Sequence, residues 1–468
     1  MLQLFLPSNA LTERLYIADI VLKKFLGLEV EVRPYDGDEV FIKNGERRRL
    51  VLDDSFFSQL TTPLLRKDKL PFLPLSTCKL EESSFDSPLA GRDLPVLFGK
   101  ALNNGCYLAS CENDLHLGID VLGSAFFMLT RYEEPLSSAR DEYDRVPATA
   151  SIAYQAGFLD RPIVNEYTEL LWQCLQRLWS GLERAQRNFR VILSHDVDQP
   201  FLLRKDGISR VLRTIAGDAI KRKNPIQGLR RPAQWIKARV LGPKHDPAYT
   251  FDYIMDTAEK YGLRSAFYFI PSPGAGPPDY RYGICDPDIQ KLLSTIHERG
   301  HEVGYHASIE TYRDGELIER EMEWLRQGCE AAGVRQPIEG SRQHYLRIDT
   351  AVTLRHLAHA RLKYDTSLSF ADRAGFRCGT CWEYPFYDLQ KRTPLEIVER
   401  PLIVMECSVM DHQYMGLECG EKALQCILKL ARTCRQFSGD FTLLWHNTRL
   451  LPAGERSLFE SLLAAVGC

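Results

Sequence analysis

Carboxylates, imidazoles and one arginine recur in this chain directly behind apolar runs. S-H-D-V-D occupies Ser194–Asp198, Y-H-A-S-I-E occupies Tyr305–Glu310, S-R-Q-H-Y occupies Ser341–Tyr345, and W-H-N occupies Trp445–Asn447. On an extended segment, residues two apart face the same side, so Asp196 and Asp198 share one face while His195 and Val197 take the other. Two carboxylates so placed can divide the work of hydrolysis, one binding a metal and the other taking a proton from water. A bound Zn2+ brings the pKa of its water to about 7, which makes this feasible near neutrality. D-x-D alone reads first as an Asp pair capping a turn before Pro200. The apolar V-I-L run ahead of it brings the two readings level.

These residues need elements that carry them to one place. From Phe189 onward the chain alternates strand and helix patterns. Strand candidates are Phe189–Leu193, Leu263–Pro271, Glu302–Tyr305, Pro337–Gly340, Leu362–Ser367, Leu395–Met405 and Phe441–Leu444. Helices are predicted at Thr250–Tyr261, Asp286–Glu298, Glu316–Ala332, Thr350–Ala358 and Glu421–Phe437, with Gly262, Gly300 and Gly333 at helix stops. Seven strands with intervening helices predict an α/β fold over residues 186–468, a distorted or incomplete (β/α) barrel. The alternative is a doubly wound sheet; either one gathers the strand ends on a single rim. Residues 1–185 read as a smaller α+β domain of unknown role that offers no ligand set. Its strands are predicted at Leu2–Leu6, Leu28–Arg33, Val40–Ile42 and Arg48–Leu52, the last two a hairpin around Asn44-Gly45. Its helices are predicted at Leu11–Leu26, Ile119–Thr130 and Pro162–Leu182.

Length and composition agree with two domains. The chain has 468 residues, 44% hydrophobic and 26% charged, as expected of a soluble globular protein. A formal net charge of −3 and the lack of basic-aromatic interleaving argue against nucleic-acid binding. Thirteen scattered cysteines without a C-x-x-C pair beyond the isolated C-G-T-C at Cys378–Cys381 favour buried thiols in a reducing compartment. The N-terminus reads as a strand rather than a signal peptide, and no apolar run is long enough to span a membrane, so the expected location is cytoplasmic. Phe201–Pro247 interrupts the alternation with twelve Lys or Arg against three Asp. It reads as a solvated helical excursion, or as a basic amphipathic surface for anionic lipid or glycan, including a lipid-linked one at the inner membrane.

V-I-L-S-H-D-V-D, G-H-E-V-G-Y-H, S-R-Q-H-Y and L-L-W-H-N, in that order, resemble the polysaccharide deacetylase superfamily (carbohydrate esterase family 4) over about residues 189–468. M-L-T-R-Y-E-E at Met128–Glu134 and A-G-F-R-C-G-T at Ala374–Thr380 resemble a bacterial subgroup with its own N-terminal domain. The resemblance implies a distorted (β/α) barrel that removes N- or O-acetyl groups from a carbohydrate with a divalent metal, usually zinc. It makes Asp196 the general base, Arg342 the group that orients it, Tyr345 the backbone donor to the oxyanion, and His446 the general acid. It makes Asp198 and His306 metal ligands.

The family's second metal histidine is missing, because residue 310 is Glu. Zinc accepts carboxylate oxygen, and residues four apart on a helical turn can share an ion, so Glu310 is the expected third ligand. Glu310 also reads as an ordinary residue at a helix N-terminus. His344, standing where the family has proline, and His412 are alternative imidazoles, each alone reading as packed or solvated. His195 and His301 read as structural. Asp365 and Asp411 are weaker candidates for supporting or sugar contacts. Trp382, Tyr384, Phe386 and Tyr387 could stack on a sugar ring but read first as core. The rivals to a deacetylase are a lapsed enzyme that binds a glycan or scaffolds polysaccharide assembly, and a metal-dependent hydrolase of a small amide.

Overall fold

The computed structural model describes all of residues 1–468 except 46–47, 61–62, 82–84, 103–104, 112, 205–210, 214–224, 272–281 and 468. Much of the basic insertion, including Lys221–Lys223, Ile208, Ile215 and Ile220, therefore lies outside the described residues. So do 46–47 of the N-terminal hairpin.

The N-terminal region forms a six-stranded mixed sheet. Its strands are β1 (Leu2–Pro7), β2 (Val30–Tyr35), β3 (Val40–Lys43) and β4 (Arg49–Leu52), with β7 (Leu108–Cys111) and β8 (Asp114–Leu117); β5 (Ser76–Lys79) and β6 (Asp93–Val96) pair apart. The β3–β4 hairpin is antiparallel as expected, with Gly45 at φ +68° in its turn. Helices span Leu11–Ala18, which continues as a π-helix to Phe25, and Val121–Leu129 and Ile163–Leu178.

The second sheet has nine strands, two more than expected, and curls as a half-barrel. They are β9 (Arg190–Val197), β10 (Ser265–Phe269), β11 (Glu302–Ala307), β12 (Gly340–Gln343), β13 (Tyr364–Asp365), β14 (Tyr384–Asp388), β15 (Thr393–Glu399), β16 (Val404–Met405) and β17 (Asp440–Leu444). The spatial order is β14-β15-β13-β12-β11-β10-β9-β17-β16, parallel throughout except for the β14–β15 hairpin. The count differs from seven for two reasons. β14 is an additional edge strand. The expected strand Leu395–Met405 is two strands, because Arg400-Pro401 interrupts it and proline cannot donate to a ladder. The chain leaves the sheet beside β13 and re-enters at the opposite edge beside β17. The predicted helices appear at Phe251–Lys260, Pro287–Glu298, Gly315–Ala331, Thr353–His359 and Glu421–Gln436. Gly262 and Gly300 stop two of them at φ +67° and +75°.

The buried apolar cluster runs without interruption from Leu2 through the second sheet to Val466. The two sequence blocks outside the deacetylase-like motifs meet inside it. Arg131, fully buried, pairs with Glu133 and Glu134 at 2.8 Å, and Arg377 clamps the same Glu134 at 2.7 and 2.8 Å. Trp382, Tyr384, Phe386 and Tyr387 are buried core residues. Trp382 packs on Phe25, Tyr387 on Tyr16, and the Tyr384 hydroxyl donates to the Leu129 carbonyl. They tie the regions together rather than meeting a ligand.

Burial alone would raise the Glu134 pKa, but Arg377 and Arg131 outweigh it and hold the carboxyl at about 2. Its contribution to stability is therefore complete above about 4.5 and is lost as pH falls through about 2. Removing one member of a buried charge network leaves the others uncompensated. Glu134→Ala is expected to cost roughly 3–5 kcal/mol at pH 7. Urea unfolding monitored by circular dichroism measures it; a cost below about 1 kcal/mol, the range of an exposed pair, contradicts the assignment.

Candidate active site

The parallel strands end together, and the polar clusters sit at those ends. Ser194 to Val197 close β9, where Ser194 lies beside Leu444 of β17. His306 and Arg342 are register partners on β11 and β12. Asp198 directly follows β9, His344 follows β12, and His446 follows β17 by two residues. Asp196, Asp198, His344, Tyr345 and His446 border one cleft of about 370 Å³.

Asp196 is buried and held by Arg342. The guanidinium, with no exposed surface, donates from Nη1 to Asp196 Oδ1 at 3.0 Å and to Ser194 Oγ at 3.0 Å. Its Nε donates to the Thr366 carbonyl at 3.0 Å, and its face lies 4.9 Å from the Tyr268 ring centroid. A guanidinium so constrained fixes the carboxylate's orientation and points its second oxygen toward His306.

His306 donates from Nδ1 to the Arg342 carbonyl at 2.8 Å. A carbonyl only accepts, so Nδ1 carries a proton, and Nε2 is the nitrogen turned inward, where the neutral ring offers a lone pair. That Nε2 lies 3.2 Å from Asp198 Oδ1, 3.6 Å from Asp196 Oδ2 and 3.1 Å from His344 Nδ1. Asp198 Oδ1 is buried and makes no hydrogen bond. Acceptor atoms of Asp198, His306 and His344 thus converge within 4.8 Å of one another. Such a set is satisfied by a cation, and two imidazoles with one carboxylate suit zinc with a position left for water or substrate. Burial alone would raise the Asp198 pKa, but the His344, His306 and His446 imidazoles hold it well below the usual carboxylate range. Burial alone would lower that of His306, and Asp196 and Asp198 push it up instead.

Glu310 does not join this group. After Ala307 the chain turns rather than entering a helix, with Ser308 pinned by Glu321, and Glu310 is exposed ahead of the short helical turn Thr311–Arg313. The imidazole comes instead from His344, two residues beyond Arg342. That spacing repeats Asp196 and Asp198, and it is the signal that could have selected His344. His412 is exposed and pairs with Glu418.

His446 is held by a residue the sequence reading missed. Buried Glu406 accepts from His446 Nδ1 at 2.6 Å and from its backbone N–H at 3.1 Å. Nε2 is left toward Asp198 Oδ2, 3.7 Å away. Burial would lower the imidazole's pKa, but the Glu406 charge and Cys407 raise it well above its ordinary value. Glu406 stands directly behind the apolar Leu402–Met405 run, the pattern that marks the other clusters. A second group with ligand-capable atoms, Glu406, Cys407 and His446, belongs to this wall of the cleft.

His195 is buried on the other face, between the Trp445 carbonyl at 2.6 Å and Ser265 at 3.3 Å, and burial lowers its pKa to about 4. His301 accepts from the Ser265 backbone N–H at 3.0 Å. Asp365 lies behind the site, accepting from Ser341 and Ser367. Asp411 borders the cleft, paired with Arg449 at 2.9 Å.

A family of unknown function (DUF7033) matches residues 2–180. None of the curated proteins matches the chain significantly. Among solved structures, the chain is similar to a proposed polysaccharide deacetylase from Mycobacterium smegmatis at 17% identity and a TM-score of 0.39, covering 61% of this chain and 85% of that one. It is also similar to the Xyl-CE4 domain of a multidomain xylanase from the hindgut metagenome of Trinervitermes trinervoides, at 12% identity and a TM-score of 0.26, covering 60% and 82%. At these values the likeness carries no weight of its own, and the site is read from its geometry.

The ligand assignment separates Glu310 from His344. Zinc-reconstituted protein is expected to hold close to one equivalent, retained in Glu310→Ala and lost in Asp198→Ala, His306→Ala and His344→Ala. Mass spectrometry of metal content after dialysis measures this. Retention by His344→Ala, or loss by Glu310→Ala, would reverse the assignment.

Proposed function

We propose that the chain is a metal-dependent deacetylase acting on an acetylated carbohydrate. The observation that supports it is one cleft bordered by a carboxylate held by arginine, a proton-bearing imidazole held by a carboxylate, and three converging metal-ligand atoms. Asp198, His306 and His344 would hold the metal. When bound, it supplies Lewis-acid polarisation and lowers the pKa of water. Asp196, oriented by Arg342, takes the proton from the attacking water. The Tyr345 N–H stands at the turn where the oxyanion would be met. His446, kept protonated by Glu406, delivers a proton from Nε2 to the leaving amine or alcohol.

The geometry calls for a hydrolysable acyl group; the carbohydrate comes from the resemblance in motif order. A lapsed glycan-binding protein is the rival. Its strongest ground was the missing second histidine, and His344 standing among the ligand atoms weakens it.

Acetate release from a panel of N- and O-acetylated sugars, with small amides as controls, tests the reading. Asp196→Ala is expected to lower kcat by about 10²–10⁴. Retained turnover in this variant removes Asp196 as the base, and a silent panel with metal-loaded protein favours the binding rival. The alkaline limb of the rate profile, set by His446, is expected above the ordinary imidazole range. Glu406→Gln removes the charge that stabilises the imidazolium, so that limb moves to lower pH; an unmoved limb excludes His446 as the acid.

We also propose a lipid-surface contact. In the helix Pro225–Leu241, Ile236, Val240 and Leu241 are 54%, 75% and 59% exposed, with Lys237 and Arg239 exposed among them. No helix among the described residues is long and apolar enough to cross a membrane. Co-sedimentation with anionic but not neutral vesicles, lost in Ile236→Asp/Val240→Asp, is the expected result. Equal sedimentation of the double variant removes this contact.

A further inference from the structure

Tyr345 and the residue after it both have left-handed backbones, at φ +60° and +54°, and neither is glycine. Side-chain-bearing residues adopt this conformation at an energetic cost, and persist in it only when their surroundings hold them. The turn follows the candidate ligand His344 and carries the N–H proposed to meet the oxyanion. What holds it comes from two directions.

Leu346 is buried in a small apolar cluster with Ala371, Leu402, Met405 and Leu444, all from the second sheet and its loops. The other hold comes from the N-terminal region. Arg145 donates from Nη1 to the Tyr345 carbonyl at 2.8 Å. The Tyr143 ring lies flat on the Tyr345 ring, with centroids 4.6 Å apart and planes 11° apart. Arg145 is itself fixed. Asp141 accepts from its Nε at 2.7 Å and from its backbone N–H at 2.9 Å, so the guanidinium is aimed from a closed turn. Asp144 of the same turn accepts from the Tyr312 hydroxyl at 2.7 Å, docking it beside the segment that follows β11. The Arg145 side chain is 8% exposed and borders the cleft.

We propose that Arg145 is a positioning residue for the reaction, and that Asp141–Arg145 with Tyr143 forms a clamp by which the N-terminal region completes the site. Holding the Tyr345 carbonyl fixes the Tyr345–Leu346 peptide plane, and the stacked Tyr143 ring limits the rotation at Tyr345 that would re-aim the preceding His344–Tyr345 plane. Those planes aim the Tyr345 N–H and support the His344 ring, which packs 4.2 Å from that of Tyr345. The region matched only to a family of unknown function thus contributes to the chemistry without supplying a ligand or a proton.

This rests on the deacetylase reading for its rate consequence but not for its structural one, and the experiment reads both. Full-length wild type, Arg145→Ala, Arg145→Lys and Tyr143→Ala are compared in kcat and KM on an acetylated sugar that the wild type hydrolyses. Hydrogen–deuterium exchange is followed in the peptide spanning residues 343–348. Arg145→Ala is expected to lower kcat by about 10²-fold, the scale of a misplaced oxyanion donor, with KM changed less than threefold. Exchange in residues 343–348 is expected to accelerate at least tenfold while the Glu421–Gln436 helix is unchanged. Arg145→Lys, which keeps a cationic donor, is expected to recover at least tenfold of the lost rate. Tyr143→Ala is expected to accelerate exchange with a smaller kcat loss. Unchanged exchange in Arg145→Ala overturns the clamp. Accelerated exchange with unchanged kcat overturns its part in catalysis. A wild type that hydrolyses nothing refutes the functional reading instead, and the exchange comparison still decides the clamp.

Discussion

Arg342 is where the two halves of the site are joined. Its guanidinium is buried without exposed surface and spends its donors on Asp196, Ser194 and Thr366. Its carbonyl accepts from His306 Nδ1, which fixes the tautomer of an imidazole on the neighbouring strand. A buried guanidinium is costly unless every donor finds an acceptor, so its position cannot drift far. One residue therefore constrains both the proposed base and a proposed ligand. The His306–Arg342 register between β11 and β12 makes that double duty geometric.

The residues singled out in the sequence that the fold brings together share one physical signature, a charged or imidazole side chain placed by strand periodicity behind an apolar run. Asp196, Asp198, His306, Arg342 and His446 all carry it and all come together. Glu406 carries it too, but the apolar stretch Leu395–Met405 reads as one continuous strand, which hides the re-entry at the far sheet edge. Pro401 marks the break, but the return to the far sheet edge is a tertiary event that no periodicity reports. Glu310 lies apart from them for the complementary reason. The four-residue spacing to His306 implies a shared ion only on a helical turn, whereas Glu321, distant in sequence, pins Ser308 into a different conformation.

The fold was legible to a similar depth and for similar reasons. Helix stops at glycine, alternating strands and the Asn-Gly hairpin are local, and they stand where local chemistry places them. The relation of the N-terminal region to the second sheet was not legible, because it depends on pairs far apart in sequence. Glu134 with Arg377, Tyr16 with Tyr387 and Glu13 with Arg392 join surfaces that composition cannot match. The unbroken apolar cluster makes the N-terminal sheet part of the same packing problem as the nine-stranded sheet rather than an appendage.

Two departures from the deacetylase-like pattern then become one. The turn after β11 supplies no second histidine, and the turn after β12 replaces a proline with His344. Proline would fix its own φ near −65° and stiffen that turn. Histidine restores a candidate nitrogen ligand but gives up the stiffness, and it does so immediately before two left-handed residues. A ligand on a loose, strained turn would hold a metal poorly and aim its neighbouring N–H at random. The missing rigidity has to come from outside the turn. Leu346 seated in an apolar pocket, Arg145 on the Tyr345 carbonyl and Tyr143 on its ring are contacts of that kind. On this argument the extra N-terminal region and the altered motif are two sides of the same arrangement.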